Sequence, residues 1–504
     1  MASVRCICVS SINERAEIPD GEGGLMRIER RCRLTAATVW LVTVWLSASG
    51  PARAEPALPG EPCKVPPREV WTGPEIWAWT RICEGRVADF NDRSGVPLDP
   101  TQSQGWSKDR SLSADFLETV LLYDPYRSAL THRGVRIVGA WFPEPINLEN
   151  AGIATELRLG ASRFEQPVLL RSMRTDGLLS LVGSDFEDYL NMDKINVAED
   201  LFMDGGAAFK NVDLTGARIG GQISLAGSRF TGKLNMESAE VGQFLLMYGG
   251  AAFEEVILRS AKIGGQVSIV GSTFAGILDL ESAEVGGNLF LDTATGPEGW
   301  PETLELEGLT YAGLGGFGES GAADIAARDS QWFAAWLARD PTYAPQPYVQ
   351  MARVLRDSGQ AEKADDVLYA GRERERLELQ RKLFAGEGSP EAWLDFLWKS
   401  ALHAVIGYGY KVYRAFYWIA FFVILGTVLI WSSRQLTRHR IATGTSGTTA
   451  FEYSIDMLLP IIELRKQHYD IDLTGPVRYY FYVHKVMGFV LVSFLIAGLS
   501  GLTK

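Results

Sequence analysis

The sequence predicts a mainly β chain: a parallel β-solenoid with 22-residue coils, followed by an α-helical segment and two transmembrane helices. Three observations predict it. Residues 135–288 repeat every eleven residues, with apolar side chains at positions 1 and 3 of each unit. Beyond the repeat, apolar residues shift to helical spacing. Two C-terminal runs, 416–431 and 486–502, are strongly apolar and nearly free of charge.

Composition sets the outer limits. A chain of 504 residues, 46% apolar and 22% charged, has room for several folded domains. Its net charge of −12 argues against a general nucleic-acid binder, because phosphates call for an excess of Lys and Arg. Five cysteines are too few for a disulfide scaffold.

Residues 1–54 read as an N-terminal extension and signal peptide. Met26 precedes the basic residues Arg27, Arg30, Arg31 and Arg33, then the apolar run 34–46, then Ala52-Arg53-Ala54, a small-residue cleavage pattern. Cleavage there would leave 42 basic and 56 acidic residues, and Cys63 and Cys83 as the only thiols. An isolated pair in an exported domain is what an oxidising compartment would produce, so a disulfide between them is expected. Residues 55–134, with Pro66, Pro67, Trp71, Trp77 and Trp79, supply the N-terminal cap that a solenoid edge requires.

Written in elevens from Val135, the repeat begins VRIVGAWFPEP, INLENAGIATE, LRLGASRFEQP and ends LDLESAEVGGN. Position 6 is Ala, Gly or Ser except at Met173 and Ile195, and position 8 is usually Ile, Val or Phe. In two units the position-8 residue slips to position 9, as Phe209 and Phe253. On a helix, positions 1 and 3 would lie about 200° apart, which leaves no single apolar seam. On a strand they share one side. Two units make one coil: Ile137, Leu159, Leu181, Met203, Leu225, Met247, Ile269 and Leu291 step by 22. At about 4.8 Å per coil, seven coils span on the order of 34 Å. GSDF, GSRF and GSTF recur at 183, 227 and 271, a 44-residue super-period. One more strand-like run, 303–311, completes a solenoid domain ending at 315.

The helical segment covers 322–385. Its first helix, 322–339, places Ile325, Trp332, Phe333 and Trp336 on one side. The runs 345–358 and 360–383 resemble a tetratricopeptide-like pair, with Tyr348, Met351, Leu355, Ala364 and Leu368 spaced to pack between them. Residues 386–504 form the membrane region, with spans near 413–432 and 481–502 extended by Tyr413, Tyr417 and the aromatics at 479–482. Arg434, Arg438, Arg440, Arg478 and Lys485 lie in or beside the intervening loop, which places that loop in the cytoplasm and the solenoid outside it, as the leader requires. Within the loop, 455–464 carries Asp456, Pro460 and Glu463 and reads as an interfacial or re-entrant piece.

Apolar centres five or six residues apart, with Ala or Ser two before many of them, resemble the pentapeptide-repeat proteins. That resemblance implies a right-handed quadrilateral β-helix, of which a 22-residue coil would be a variant. Over most of 63–504 the chain resembles pentapeptide-repeat-like bacterial membrane proteins. It does so through Trp77-Ala78-Trp79 with Ile82-Cys83, DPYRSAL at 124–130, RDPTYAPQPY at 339–348 and IGYGY at 406–410. Such relatives are sometimes labelled membrane-associated oxidoreductases.

The segment from Gly313 to Gly318 fits G-x-G-x-x-G, and Gly313, Gly315 and Gly318 are the weak cofactor-binding candidates. A dinucleotide site also needs a second parallel strand ending in an acidic residue, and only helical sequence follows. The glycines therefore read as a flexible junction. His132, His403, His439, His468 and His484 lack metal-ligand spacing with one another or with Cys or carboxylates, so neither a metal site nor a catalytic set is expected. IGYGY precedes a span and reads as a turn at the membrane surface. Residues 137–291 carry 20 acidic and 11 basic side chains, a solvated outer face or a surface for a cation or basic partner.

The preferred reading is a membrane-anchored, non-enzymatic scaffold or interaction protein of the bacterial cell envelope. It sits in the inner membrane with the solenoid on the extracytoplasmic side, and no cofactor is expected. Its partners would be the lipid bilayer, another envelope protein, and a second copy through the solenoid or the membrane helices; nucleic acid is not expected. The alternatives are a nucleotide-dependent membrane oxidoreductase and an acidic DNA mimic.

Overall fold

The computed structural model describes residues 63–291, 299–315, 328–436, 449–459 and 464–499. The expected leader lies outside the described residues, as do Gly318, Ile325, Arg438, Arg440 and the segment from Pro460 to Glu463.

The N-terminal cap consists of helices α1 (Gly73–Cys83), α2 (Phe90–Ser94) and α3 (Ala114–Leu122). Trp71, Trp79 and Tyr126 cluster at 4.9–6.0 Å between ring centres, with Trp79 edge-on to the other two, which gives the Trp-rich segment and the DPYRSAL run one packing role. Buried Glu75 accepts from the Thr72 and Ser113 backbone N–H groups at the starts of α1 and α3. Burial pushes its carboxyl up, but the hydrogen bonds from Ser113 and Thr72 outweigh that and hold it below the usual range. A disulfide joins Cys63 to Cys83, with a Cα–Cα distance of 5.3 Å.

The repeat folds as a parallel β-solenoid of about eight coils with 22-residue spacing. Side chains from positions 1, 3 and 8 point inward in columns along it, and positions 1 and 8 supply four of these. One rises from Val135 through Leu157, Leu179 and Leu201 to Leu289. Another rises from Ile153 through Thr175, Val197 and Ile219 to Tyr311. A third runs from Ile146 through Val168 and Leu190 to Leu304. The fourth is aromatic: Phe142, Phe164, Phe186, Phe209, Phe230, Phe253 and Phe274 stack with ring centres 4.3–5.2 Å apart. The position-8 residue thus alternates between a Phe face and a mostly β-branched face, which is why two elevens are needed to close one coil.

The corners obey a rule of backbone angle and not of residue type. Position 5 of all fourteen units, from Gly139 to Ser282, has φ between 45° and 72°. Gly fills seven of these corners; the rest hold Asn150, Ala161, Ser172, Lys194, Ser238, Ser260 and Ser282. A left-handed residue at fixed intervals turns the chain without breaking the ladder. Small position-6 residues then fit beneath the corner, where Ser184, Ser228 and Ser272 donate their hydroxyls to the carbonyls of Leu159, Met203 and Met247 in the preceding coil.

The slips at Phe209 and Phe253 are local insertions. The Gly205-Gly206 and Gly249-Gly250 corners each hold two consecutive positive-φ residues, and Phe209 consequently pairs with Phe186 at a spacing of 23. The following strand loses one residue, so that Leu190 again meets Val212 at 22. The expected single run 303–311 is instead two strands, Thr303–Glu305 and Thr310–Leu314, separated by a corner with Gly308 at φ 81°.

Both solenoid ends are covered. At the N-terminal end, Ala88–Asp89 adds a parallel strand to the first coil (Ala88 opposite Ile137), and Leu112 N–H donates to the Trp141 carbonyl. At the C-terminal end the RDPTYAPQPY segment does this. Leu306 N–H donates to Asp340, Gly308 N–H donates to the Gln346 side chain, and Gln346 donates in turn to the Leu309 carbonyl. These contacts consume backbone groups that would otherwise template another strand.

Helices α4 (Ser330–Leu337), α5 (Pro345–Asp357) and α6 (Ala361–Phe384) follow; residues 322–327 of the expected first helix lie outside the described residues. Tyr348, Met351, Leu355 and Ala364 are buried as the spacing predicts. Helix α7 (Pro390–Ile406) leads through the Gly407–Gly409 turn into α8 (Arg414–Ser433), then α9 (Ala450–Leu458) and α10 (Pro476–Leu499). Helices α8 and α10 are long and apolar enough to cross a membrane. Helix α10 starts five residues before the expected 481, so the aromatics at 479–482 lie within it. Residues 455–458 of the expected interfacial piece belong to α9, which begins at Ala450 and packs against both α8 and α10. Gly488 permits this approach: a Cβ there would lie 1.6 Å from the Leu458 carbonyl oxygen.

Candidate functional site

Stacking places residues 22 apart in sequence over one another, and charge follows the same rule. Arg171 meets Asp193, Arg218 meets Glu240, Lys233 meets Glu255 and Lys262 meets Glu284, at 3.2–3.9 Å. Much of the expected solvated outer face is therefore paired from coil to coil. Such exposed pairs contribute little stability each, roughly 0–1 kcal/mol, but opposite charges in register oppose a slip of one coil's strand against the next.

Among the described residues, three carboxylates converge at the C-terminal end of the solenoid. Oxygens of Asp279, Glu281 and Glu305 lie within 4.8 Å of one another. Asp279 and Glu305 are paired in adjacent strands, and Glu281 follows two residues after Asp279. Arg259, one coil earlier, reaches all three at 2.7, 3.0 and 3.2 Å. Burial and then Asp279 push the Glu305 carboxyl upward, while Asp279 pushes the Arg259 guanidinium higher. The guanidinium takes the place that a metal ion would need, so the triad is an ion-pair hub.

Beside that hub, Glu281, Glu305, Glu307 and Asp340 line a cleft of about 210 Å³ where the last coil meets the segment after α4. Burial raises the Asp340 carboxyl, against the hydrogen bonds it accepts from Thr342 and Leu306. The cleft is chemically suited to a guanidinium or ammonium group. It was missed in the sequence because its carboxylates come from three separated segments, although the i, i+22 charge pairs around it are readable once the coil length is known.

Gly313 and Leu314 belong to the last solenoid strand, and Gly313 pairs with Asn288. A Cβ at Gly313 would meet the Asn288 side-chain oxygen at 2.4 Å, and one at Gly315 would meet the Phe290 ring at 3.1 Å. Both glycines thus have a packing reason on the preceding coil, and Gly313 sits inside a ladder, where a phosphate-binding turn does not form. Gly318 is outside the described residues.

The C-terminal helices α8 to α10 and the segment between α9 and α10 hold polar groups that sequence spacing did not connect. His468 Nδ1 lies 2.6 Å from Asp456 although the two are 12 residues apart, and both side chains are fully buried. Asp456 also accepts from the backbone N–H groups of Leu464 and Arg465, at 2.8 and 3.4 Å, and so pins the segment after α9. His468 Nε2 has no hydrogen-bond partner among the described residues. His484 on α10 is within 3.1 Å of the Tyr480 hydroxyl and 3.0 Å of the Ser454 carbonyl. These contacts tie α9 to α10 and to its own following loop. Comparison with family models, with curated proteins and with solved structures finds no match for this chain.

Proposed function

We propose that this chain is a non-enzymatic scaffold or interaction protein of the bacterial cell envelope, anchored in the inner membrane by α8 and α10 and presenting its solenoid on the extracytoplasmic side. The observation that carries this is the packed junction between solenoid and helices. Gln346 and Gln350 on α5 hydrogen-bond the Leu309 and Tyr311 carbonyls of the last coil, and α5 packs on the 24-residue α6, which packs on α7. A solenoid mounted in this way holds its surface at a set position, as a scaffold requires. The acidic cleft beside Arg259 then offers a cationic side chain of an envelope protein a place to dock. Membership of the pentapeptide-repeat-like membrane proteins agrees with the repeat and with the packing roles of DPYRSAL and RDPTYAPQPY.

Fractionation and cysteine labelling test the reading. The full chain is expected to stay in the membrane after alkaline carbonate washing. A Tyr248→Cys variant, at an exposed solenoid position, should react with an impermeant maleimide in spheroplasts. Release by carbonate, or labelling only after lysis, would overturn the anchored extracytoplasmic reading. Binding of NAD(P) or flavin that is lost on Gly315→Val would overturn the non-enzymatic one.

A further inference from the structure

Helix α7 has two unlike faces. On one, Asp395, Lys399 and His403 are engaged: Lys399 bridges Asp395 and Glu375 at 2.5 and 3.2 Å, and His403 Nε2 lies 3.0 Å from the Tyr369 hydroxyl on α6. On the other, Trp393, Leu394, Leu397 and Trp398 are 41%, 67%, 59% and 57% exposed, a spacing of 1, 3 and 1 that forms one stripe on a helix. The polar side chains are thus turned inward against α6 and the apolar ones outward, the reverse of a helix facing water.

Three contacts place that stripe beside the apolar helices. Trp418 Nε1 on α8 donates to the Ala404 carbonyl at 3.0 Å, so the start of one apolar helix abuts the end of α7. Trp398 meets Phe494 near the end of α10, with ring centres 6.4 Å apart. Exposed Phe384 extends the stripe on its other side, 5.9 Å from Trp393. The stripe is therefore continuous with the exposed apolar surfaces of α8 and α10 at the end where both approach α7, and it is rich in Trp, as membrane interfaces are.

We infer that α7 lies flat in the lipid interface of the leaflet facing the solenoid, with Trp393, Leu394, Leu397 and Trp398 among the upper acyl chains. The inference rests on the membrane-anchor reading. In that position α7 is a foot: its lipid face fixes depth, and its polar face holds α6, which carries α5 and the end of the solenoid.

Spin labels on the full chain in phosphatidylethanolamine–phosphatidylglycerol vesicles test this, read against the unsubstituted protein. Labels would be placed singly at Leu394→Cys, Leu397→Cys, Ile424→Cys on the exposed face of α8, and Glu387→Cys in the exposed α6–α7 turn. The 394 and 397 labels should be severalfold more accessible to oxygen than to a nickel chelate, at shallower depth than 424, while 387 favours the chelate. Chelate-accessible 394 and 397 with 424 still in lipid would overturn the foot and leave the anchor intact. A chelate-accessible 424 would overturn the anchor, and the foot with it. Strong spin–spin coupling at 394, with neither reagent reaching it, would mean that a second copy covers the stripe and would also overturn the proposal.

Discussion

The guanidinium of Arg163 stands 2.8 Å from the carboxylate of Asp185 one coil on, with both side chains buried. Arg163 also donates to the Pro100 carbonyl of the cap and to Glu187, each at 2.6 Å, so one side chain locks the cap loop to two coils. Burial pushes the Asp185 carboxyl up to about 6; Arg163 opposes this, and Glu187 and Asp99 add to it. The folded state therefore binds more protons than the unfolded state between the ordinary value of 3.8 and about 6. The contribution favours folding below that window and is lost as pH rises through it. On going from pH 4 to 6.5, Asp185→Asn should lose less stability, or gain more, than the parent chain. An unchanged pH profile by thermal unfolding would contradict it.

Removing Arg163 should be worse than removing its partner. Arg163→Ala leaves Asp185 buried without its cation, a loss of about 3–5 kcal/mol for a buried pair broken on one side. The Pro100 loop should also become open to limited proteolysis. Wild-type resistance in that loop would count against the lock.

The left-handed corners can be improved. Ala161→Gly and Ser238→Gly should each raise stability by about 0.5–1 kcal/mol, because a Cβ is unfavourable at positive φ. Gly227→Ala should lower it by about 1 kcal/mol. Denaturation midpoints of the β signal measure all three, and reversed signs would mean the corners are not left-handed.

The phenylalanine column should be sensitive in its middle. Phe209 touches Phe186 and Phe230 and is 1% exposed, so Phe209→Ala should cost about 3–5 kcal/mol. Phe209→Leu keeps most of the volume and should cost clearly less. Equal losses would show that the site does not depend on filling.

Arg259 should be replaceable by a cation. In Arg259→Met the oxygens of Asp279, Glu281 and Glu305 remain within reach of one ion, a donor set suited to calcium. Calcium should then recover part of the lost thermal stability, and should do nothing for the parent chain or for Arg259→Met/Glu305→Gln. Equal responses in all three would mean that the carboxylates do not act together.

The eleven-residue period, the 22-residue coil, the buried identity of positions 1 and 3, and the two apolar helices were all legible in the chain. Each depends on side-chain alternation or on apolar run length, properties local in sequence. The corner rule at position 5 was present but unread, because Gly, Ser, Asn, Ala and Lys share no chemistry there, only a backbone angle. What the tertiary structure decided were meetings between segments with no fixed spacing. Asp340 and Gln346 close the last coil, Arg163 holds Pro100, His468 meets Asp456, and α7 turns its polar face inward. A repeat fixes its own neighbours because each coil copies the last. Caps, clefts and helix contacts join unlike segments, and only the folded chain brings those within hydrogen-bonding distance.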